Sequence, residues 1–341
     1  RDHPVRTSLI GTATISVPTI GLWLLNRDDD DIRELRQSEA GLGYWYFRVP
    51  EGVLGEGEIL RIPKPFLLGA IFGTGTEAAL DRFFAQDPDA ATSFARAVWG
   101  QTAFNAVPTA LSVANAVRTN QNPLTGAPIA PEGTMDEQPR MQARPYTGTT
   151  SRRLANLLSG EPDTPEGALG RKLHLNIGVS PARFEYAVRA LSGTLGAGFL
   201  KLVDQALDAG QAPAPQLADL PFAGMLFPRM PSSTTASMAK LRERARATAT
   251  ISATLGDLQR HAPARVREFQ RTHAEALQFA PLYAAATAQI ADLQKQQAQI
   301  YNAPNLSPEA KRHRLDRLSL EMNRVAQQLL AVLRRVQERR E

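Results

Sequence analysis

The sequence contains no cysteine, and this absence removes several kinds of chemistry at once. Disulfide bonds, cysteine-based zinc sites, iron–sulfur clusters and thiol catalysis all require that residue. Histidine is also scarce, and the five residues, at positions 3, 174, 261, 273 and 313, are too far apart to place two rings on one helical turn. We therefore expect no metal site and no cofactor.

The common sequence motifs of enzymes are missing as well. The Gly-rich stretches at 73–75 and 193–198 lack the Gly-Lys-Ser/Thr of a nucleotide loop, and no Gly-x-Ser-x-Gly elbow occurs. The consecutive carboxylates at 28–31 cannot all face one cation. We expect this chain not to be an enzyme, and to be a piece of a longer polypeptide in which any enzymatic domain lies elsewhere.

Long hydrophobic runs are nearly absent. Residues 7–26 carry no charge and are about as long as a membrane-spanning helix. Six Ser and Thr residues make this run polar, and Gly11, Pro18 and Gly21 interrupt it. We expect a buried helix here, with reversible membrane insertion as the alternative.

Positive charge is unevenly distributed along the chain. Arg outnumbers Lys 33 to 6, which a GC-rich genome would explain without a functional cause. From residue 236 onward, 18 Lys and Arg face 10 Asp and Glu, a net charge of +8, whereas the rest of the chain carries −3. A basic C-terminal third favours a polyanion or an acidic surface as partner. The alternative is that these charges belong to a solvated helix surface of an arginine-rich protein and bind no partner.

The remaining patterns predict a mainly α-helical protein with one small β-hairpin. Aromatic and β-branched residues favour strands at 44–49 and 58–62, with Gly residues between them for the turn. Helices are expected at 66–72, 76–85, 88–104, 108–118, 181–193 and 195–209. Thr76 is expected to cap the second of these helices, and Gly193 to end the helix that follows Ser180.

A long irregular segment at 120–150 interrupts these helices. Its many Pro and Gly residues break any helical period, and such a segment in a compact domain is commonly a binding arm. We expect it to wrap a neighbouring subunit. Its candidate partner-binding residues are Asn122, Pro123, Leu124, Arg140, Arg144 and Tyr146.

Two series spaced alternately by three and four residues predict an antiparallel coiled-coil hairpin of long helices near the end of the chain. The first series is Phe279, Tyr283, Ala286, Ile290, Leu293, Gln297 and Ile300. The second is Leu315, Leu318, Met322, Val325, Leu329, Val332 and Val336. The candidate basic surface of this region consists of Arg242, Arg244, Arg246, Arg312, Arg314, Arg334 and Arg335.

These patterns divide the chain into three parts. We expect an irregular helical domain at 1–210, a Pro-rich linker at 211–235 and a basic helical, coiled-coil region at 236–341. A further helix is expected at about 235–260, packed against the hairpin. The sequence leaves open whether the coil closes within one chain or between chains.

A series of short motifs runs in order through the first two thirds of the chain. They are Leu-Leu-Asn-Arg-Asp-Asp at 24–29, Trp-Tyr-Phe at 45–47, Arg-Ile-Pro-Lys-Pro-Phe at 61–66, Gly69, Phe-Gly at 72–73, Glu77, Asp81, the loop 122–129, the segment 147–153 and Ser-Pro-Ala-Arg-Phe-Glu-Tyr at 180–186. This series, which covers about residues 10–210, resembles one of the large polyvalent protein-associated domains. None of the motifs is catalytic.

The resemblance implies a place in a very long protein of a phage or integrated element. Such proteins include some that are packaged in the virion and ejected with the DNA. It implies a non-catalytic anchoring module of an internal virion protein, inside the capsid at the portal vertex. The partners implied are the portal, other internal virion proteins and packaged double-stranded DNA, and an oligomer is expected. The alternatives are an accessory or packaging region of a giant virion-packaged enzyme such as an RNA polymerase, and a membrane conduit in the host envelope after ejection.

Overall fold

The chain folds as two compact units, each built from two stretches of sequence. The computed structural model describes residues 10, 12–38, 41–50, 57–65, 68–84, 91, 94–95, 109–123, 126–160, 164–174, 178–207, 212–220, 223–232 and 235–338. One unit is Arg1–Ser112 with Pro215–Ala236, and the other is Val113–Ala214 with Ser237–Glu341. Most of the segment predicted as a linker thus belongs with the N-terminal unit. Nearly all of the predicted helix at 88–104 lies outside the described residues.

The first unit combines short helices with one β-hairpin. Its elements are α1 (Val17–Leu25), α2 (Asp30–Arg36), β1 (Tyr44–Arg48), β2 (Ile59–Pro63) and α3 (Gly75–Phe84), with π-helical turns at Thr12–Ser16 and Gly69–Thr74. The two strands pair antiparallel, with Tyr46 opposite Arg61. The predicted hairpin is thereby confirmed, and each strand begins and ends within one residue of the predicted bounds 44–49 and 58–62.

The apolar core of this unit joins α2 to the hairpin. It consists of Ile32, Leu35, Tyr46 and Ile59, all buried. Asp29 starts α2 as its N-cap, because its carboxylate accepts a hydrogen bond from the Ile32 amide at 3.1 Å. The aspartates that follow it lie in the first helical turn, where the helix dipole favours negative charge.

The segment predicted as a linker lies along β2. The Arg61 amide donates to the Leu226 carbonyl at 2.7 Å, and the Arg61 guanidinium donates to the Gly224 carbonyl at 2.6 Å. These bonds satisfy part of the exposed edge of a two-stranded sheet. Residues 223–226 therefore have a fixed place in this unit.

Residues 17–25 of the uncharged N-terminal run form α1, which is buried on one face only. Thr19 and Trp23 are buried, and Thr19 Oγ1 accepts a hydrogen bond from Trp45 Nε1 at 2.9 Å. The exposed apolar side chains of the other face are Val17, Ile20, Leu24 and Leu25. Within the described part of the chain, no helix has the length and apolarity that a membrane crossing requires.

The predicted N-cap at Thr76 is wrong. α3 begins at Gly75 and continues directly from the π-helical turn Gly69–Thr74, so there is no free helix start at this position. The Thr76 hydroxyl instead donates to the Phe72 carbonyl at 2.6 Å, as hydroxyls inside helices commonly do. The turn before it wraps around a buried lysine, which the sequence pattern does not reveal.

The second unit is helical. The helices that lie wholly or mostly in it are α4 (Thr109–Thr119), α5 (Thr149–Ser159), α6 (Pro165–Lys172), α7 (Pro181–Leu207), α8 (Ala236–His261), α9 (Val266–Thr272), α10 (Ala274–Asn302) and α11 (Pro308–Glu338). α7 runs without interruption, so the prediction that Gly193 ends a helix is wrong. Glycine weakens a helix interior by about 1 kcal/mol but keeps its backbone donor and acceptor, and the flanking turns carry the helix through it.

α10 and α11 form an antiparallel hairpin that contains the main core of the second unit. The predicted series on α10 is buried from Phe279 to Gln297. On α11 the series slips by one residue near its end, because Leu333 is 2% exposed and Val332 is 47% exposed. A helix turns every 3.6 residues and drifts from a 3.5-residue repeat, so the next residue comes to face the core. The supercoil of a coiled coil stays a prediction.

One polar side chain lies in this hairpin core. Gln297 is 5% exposed, and its Nε2 donates to Ser319 Oγ at 2.9 Å and to the Leu315 carbonyl at 3.3 Å. A buried amide that loses its partners costs stability, so this pairing favours one register of the two helices. Met238 and Leu241 of α8 add to the same core.

The hairpin core gives a direct stability prediction. Leu315 is 1% exposed and Leu320 is 46% exposed on the same helix. We expect Leu315→Ala to lower the free energy of unfolding by about 2–5 kcal/mol, because a cavity remains in the core. Leu320→Ala should change it by less than about 0.5 kcal/mol. Urea unfolding followed by far-ultraviolet circular dichroism measures both, and equal losses would contradict the packing described here.

Candidate functional site

The segment predicted to be a binding arm at 120–150 contains a described irregular stretch, residues 126–148, which packs on helices of its own unit. Its helical structure is limited to two 3₁₀ turns, Glu132–Thr134 and Pro139–Met141. Ala130 and Thr134 are fully buried. Much of the segment is therefore covered within this chain, and only its exposed part is available to a neighbouring subunit. That part includes residues 135–138, all of them exposed.

The segment comes closest to α10 at Gly133. A Cβ atom at this position would lie 2.1 Å from the Ala291 carbonyl oxygen, so only glycine fits without a shift of backbone. The Gly133 amide donates to Gln294 Oε1 at 2.9 Å. This contact fixes the first 3₁₀ turn on the hairpin.

Two predicted residues of the segment, Arg144 and Tyr146, lie side by side, and Arg144 binds the backbone of the segment. Arg144 Nε donates to the Ile129 carbonyl at 2.9 Å, and the same guanidinium donates to the Pro128 carbonyl. The guanidinium carbon lies 5.8 Å from the centre of the Tyr146 ring. Arg144 therefore stabilises the fold of the segment itself.

Two predicted residues of the basic surface, Arg242 and Arg246, join this cluster from α8. Arg246 donates to the Gly126 carbonyl and, at 3.3 Å, to Glu132 Oε1. Burial lowers the pKa of Arg242 to about 10, and the charge of Arg144 adds to that shift. The structure thus brings together residues that the sequence had assigned to two separate surfaces.

The end of the segment is fixed by Arg152 of α5. Its guanidinium donates to the Arg144 carbonyl at 2.7 Å and to the Thr147 carbonyl at 3.1 Å. Its carbon lies 3.4 Å from the centre of the Tyr301 ring on α10. Burial lowers the pKa of Arg152, and Tyr301 and Glu185 oppose this shift. Arg152 therefore links the segment to the hairpin.

Amide and hydroxyl side chains complete the hydrogen bonding of the segment. Asn120 pairs with both backbone groups of Ala130, at 2.7 and 3.0 Å. The Ser180 hydroxyl donates to the Gln142 carbonyl at 2.9 Å at the start of α7. The buried backbone of this irregular segment thus has partners from several helices, as burial requires.

The other candidate partner-binding residues are Asn122, Pro123, Leu124 and Arg140, and those that the structure describes differ in how far they are exposed. Asn122 closes a tight turn, with its carbonyl accepting from the Gly126 amide at 2.8 Å. Pro123 is exposed, and Arg140 is half-buried with Nε donating to Gln138 Oε1 at 2.9 Å. Leu124 lies outside the described residues. Their binding of a partner stays a prediction.

The remaining candidate basic residues lie apart from this cluster. Arg312 donates to the Ala214 carbonyl at 2.7 Å and is half-buried, as is Arg244. Arg314, Arg334 and Arg335 are exposed on α11. Sequence reasoning missed Arg317 and Arg324, which are also exposed on α11. The spacing of three and four that revealed the core series also relates these outward residues, and could have identified them.

A buried ion pair organises the first unit. Lys64 Nζ lies 2.5 Å from Glu77 Oε2, and the two side chains are 2% and 7% exposed. The ammonium group also donates to the Leu42 carbonyl at 3.2 Å. A Cβ atom at Gly69 would lie 2.7 Å from Lys64 Cβ, so the π-helical turn needs glycine there. Burial lowers the pKa of Lys64 and raises the pKa of Glu77, while each charge opposes the shift of the other.

A second buried ion pair lies in the same unit. Arg36 binds both carboxylate oxygens of Asp81, at 2.8 and 2.9 Å. Trp23 Nε1 donates to Asp81 Oδ1 at 2.7 Å, and Gln37 Nε2 lies 3.3 Å from Asp81 Oδ2. The carboxylate of α3 is therefore fully engaged by α1 and α2. Both pairs hold secondary-structure elements together, and within the described residues no group of three or more His, Asp or Glu is placed to hold a metal ion.

Three residues of the short sequence motifs, Lys64, Glu77 and Asp81, supply buried charges of these two networks. A family model, large polyvalent protein associated domain 38, matches residues 42–223, more than half of the chain. The chain belongs to this family. The predicted resemblance is thereby confirmed, although the match begins at 42 and leaves out the motif at 24–29. No curated protein and no solved structure matches the chain.

Membership of the large polyvalent protein associated domain 38 family makes the chain part of a phage-associated large polyvalent protein. The matched range includes Lys64, Glu77 and Asp81 of the first unit, and Arg144 and Arg152 of the second. Each of these side chains is engaged in intramolecular contacts. Of these residues, Lys64, Glu77, Asp81 and Arg152 lie in motifs that gave the resemblance, and in this structure they form stabilising contacts of the domain.

The Lys64–Glu77 pair can be tested by removing one partner. We expect Glu77→Gln to lower the free energy of unfolding by about 3–5 kcal/mol, because a buried ammonium group loses its counter-charge. The double variant Lys64→Met with Glu77→Leu should recover most of that loss. Chemical denaturation of the purified chain measures each effect.

The matched control for this pair is Asp30→Asn. Asp30 pairs with Arg33 at the surface, where the two side chains are 78% and 43% exposed. Its loss should cost less than about 1 kcal/mol. A similarly small loss in Glu77→Gln would show that Glu77 is uncharged in the folded protein.

Proposed function

We propose that this chain is a non-catalytic anchoring module of a phage internal virion protein, and that it holds a long polypeptide at the portal vertex inside the capsid. The observation that carries the proposal is the family membership, which associates the chain with very long phage polypeptides. A module of this kind needs a stable fold and exposed surfaces, and it needs no catalytic site. The proposed location is the virion interior, and the proposed partners are the portal and other internal virion proteins.

The docked segment supplies one such surface. Arg144, Arg152 and Arg246 hold the backbone of the segment by hydrogen bonds. Its exposed residues 135–138 therefore have a defined position before a partner binds. A pre-organised surface loses less conformational entropy on binding than a free loop does. The proposed contact with a neighbouring subunit is therefore made by residues 135–138 and by Pro123. The segment keeps its contacts with its own chain when the partner binds.

Co-purification with the portal protein of the same phage tests the anchor. We expect a stoichiometric complex whose electron micrographs show the chain on the portal ring. The double variant Asp136→Arg with Glu137→Arg should weaken this complex by about tenfold or more, because it reverses exposed charges at the centre of the proposed contact. The affinity is measured by titrating labelled chain against assembled portal.

The matched control reverses the same number of exposed carboxylates elsewhere in the second unit. Asp257→Arg with Glu268→Arg changes the net charge equally, and both residues are exposed in the region of α8 and α9. This variant should bind the portal as the unchanged chain does. A chain that stays monomeric beside the portal would overturn the anchor and support an accessory region of a packaged enzyme instead.

A further inference from the structure

The outward face of α11 carries a row of arginines that form no ion pair with the described part of the chain. The residues that follow one another at spacings of three and four along this face are Arg314, Arg317, Glu321, Arg324, Gln328, Ala331 and Arg335, all exposed. We call this row the arginine stripe. Among the described residues, none of its four arginines has an ion pair within 4.0 Å. The stripe is about 32 Å long at 1.5 Å per residue.

Within the described part of the hairpin, the exposed Arg and Lys residues all lie on α11, and Lys295 of α10 is half-buried. The exposed charged residues of α10 are Glu275 and Asp292, both acidic. The stripe itself contains one carboxylate, Glu321, with Glu338 one step beyond its end and Arg334 on its flank. An Arg-rich composition alone would place arginines on both helices. The one-sided placement indicates a surface that faces an anion.

The chemistry of the stripe favours phosphates of a duplex. One guanidinium group can donate two parallel hydrogen bonds to two oxygens of a phosphate, and it remains charged at any physiological pH. α11 contains no Phe, Tyr or Trp, so it lacks the large aromatic rings on which proteins that bind single strands stack successive bases. Its apolar face is covered by α10, so it has no free apolar face to insert into a lipid surface.

We propose that the arginine stripe binds the phosphate backbone of double-stranded nucleic acid without sequence preference. The stripe would lie along the duplex and make about four phosphate contacts, one for each arginine. The proposed function supplies the source of the duplex, which is the DNA packed around an internal virion protein. The stripe lies on α11 and the proposed portal contact lies on the segment 135–138, so each can fail without the other.

Fluorescence anisotropy with a labelled duplex tests the stripe in the absence of any portal protein. A duplex of about 30 base pairs is longer than the stripe, because each base pair adds about 3.4 Å. The logarithm of the association constant should fall with the logarithm of the salt concentration with a slope of about −3.6 for four contacts. Exchanging all four arginines for Gln should cost at least about tenfold in affinity and remove most of that slope.

Two further variants separate the stripe from general charge and from misfolding. The exposed residues Arg260, Arg265, Arg267 and Arg271, exchanged for Gln together, remove the same charge outside the stripe and should leave the affinity within about threefold. Exchanging the four stripe arginines for Lys keeps the charge and should keep the salt slope. Equal circular dichroism spectra for all variants confirm that the helices are intact.

Three results would overturn the proposal. They are no duplex binding at low salt, an equal loss of affinity in the stripe variant and its matched control, and binding that does not change with salt.

The chain is also mixed with vesicles of phosphatidylcholine and phosphatidylserine. Capture by these vesicles that depends on the stripe, without duplex binding, would assign the stripe to a membrane surface instead. A failure in any of these assays leaves the portal experiment unaffected, because that experiment contains no nucleic acid.

Discussion

Irregular backbone that is buried must find hydrogen-bond partners, and this constraint governs both units of the protein. Helices, including the π-helical turns, and strands satisfy most of their own peptide groups, but the segment 126–148 and the turn at 41–43 before β1 lie against other elements with little regular structure of their own. Long cationic side chains supply donors to such segments. Arg144, Arg152 and Arg246 donate to carbonyls of the segment or its immediate end, and Lys64 donates to the Leu42 carbonyl of the turn at 41–43. Asn120, Gln294 and Ser180 form further hydrogen bonds with the segment.

The same constraint explains why the motifs that gave the resemblance are short, polar and scattered along the chain. A lysine in a Pro-Lys-Pro context, a glutamate thirteen residues later and glycines between them have no periodic relation in the sequence. They meet because the π-helical turn Gly69–Thr74 packs against the Lys64 side chain and Glu77 supplies the counter-charge of its ammonium group. These motifs therefore serve the stability of the domain. We expect residues that bind a partner to lie outside those contacts, on the exposed surface of the fold.

Periodicity predicted the local parts of this structure and could not predict the distant contacts. The α10 series was correct from Phe279 to Gln297, because a hairpin buries one helical face at a fixed spacing. It slipped on α11, where Val332 and Leu333 exchange roles, because the true period is longer than the assumed one. Of the candidate partner residues, Arg144 proved to be held inside its own unit. Its carbonyl partners and Arg246 lie in stretches that no local pattern connects, so a sequence-based reading can only list it as a charged residue in a loop.

Arginine abundance therefore has two separate meanings in this chain. An arginine that donates to carbonyls, such as Arg152, is required by the buried backbone, and its charge is a consequence of that need. An exposed arginine without an intramolecular partner, such as Arg324, has no such structural cause. Other exposed arginines without a partner among the described residues, such as Arg267, stand on the seven-residue helix α9, whereas those of α11 form a row along most of a long helix. The exposed charged residues of α10 are acidic although the two helices share one core and one loop, so folding does not require the basic row, and the proposed binding of an external anion would account for it.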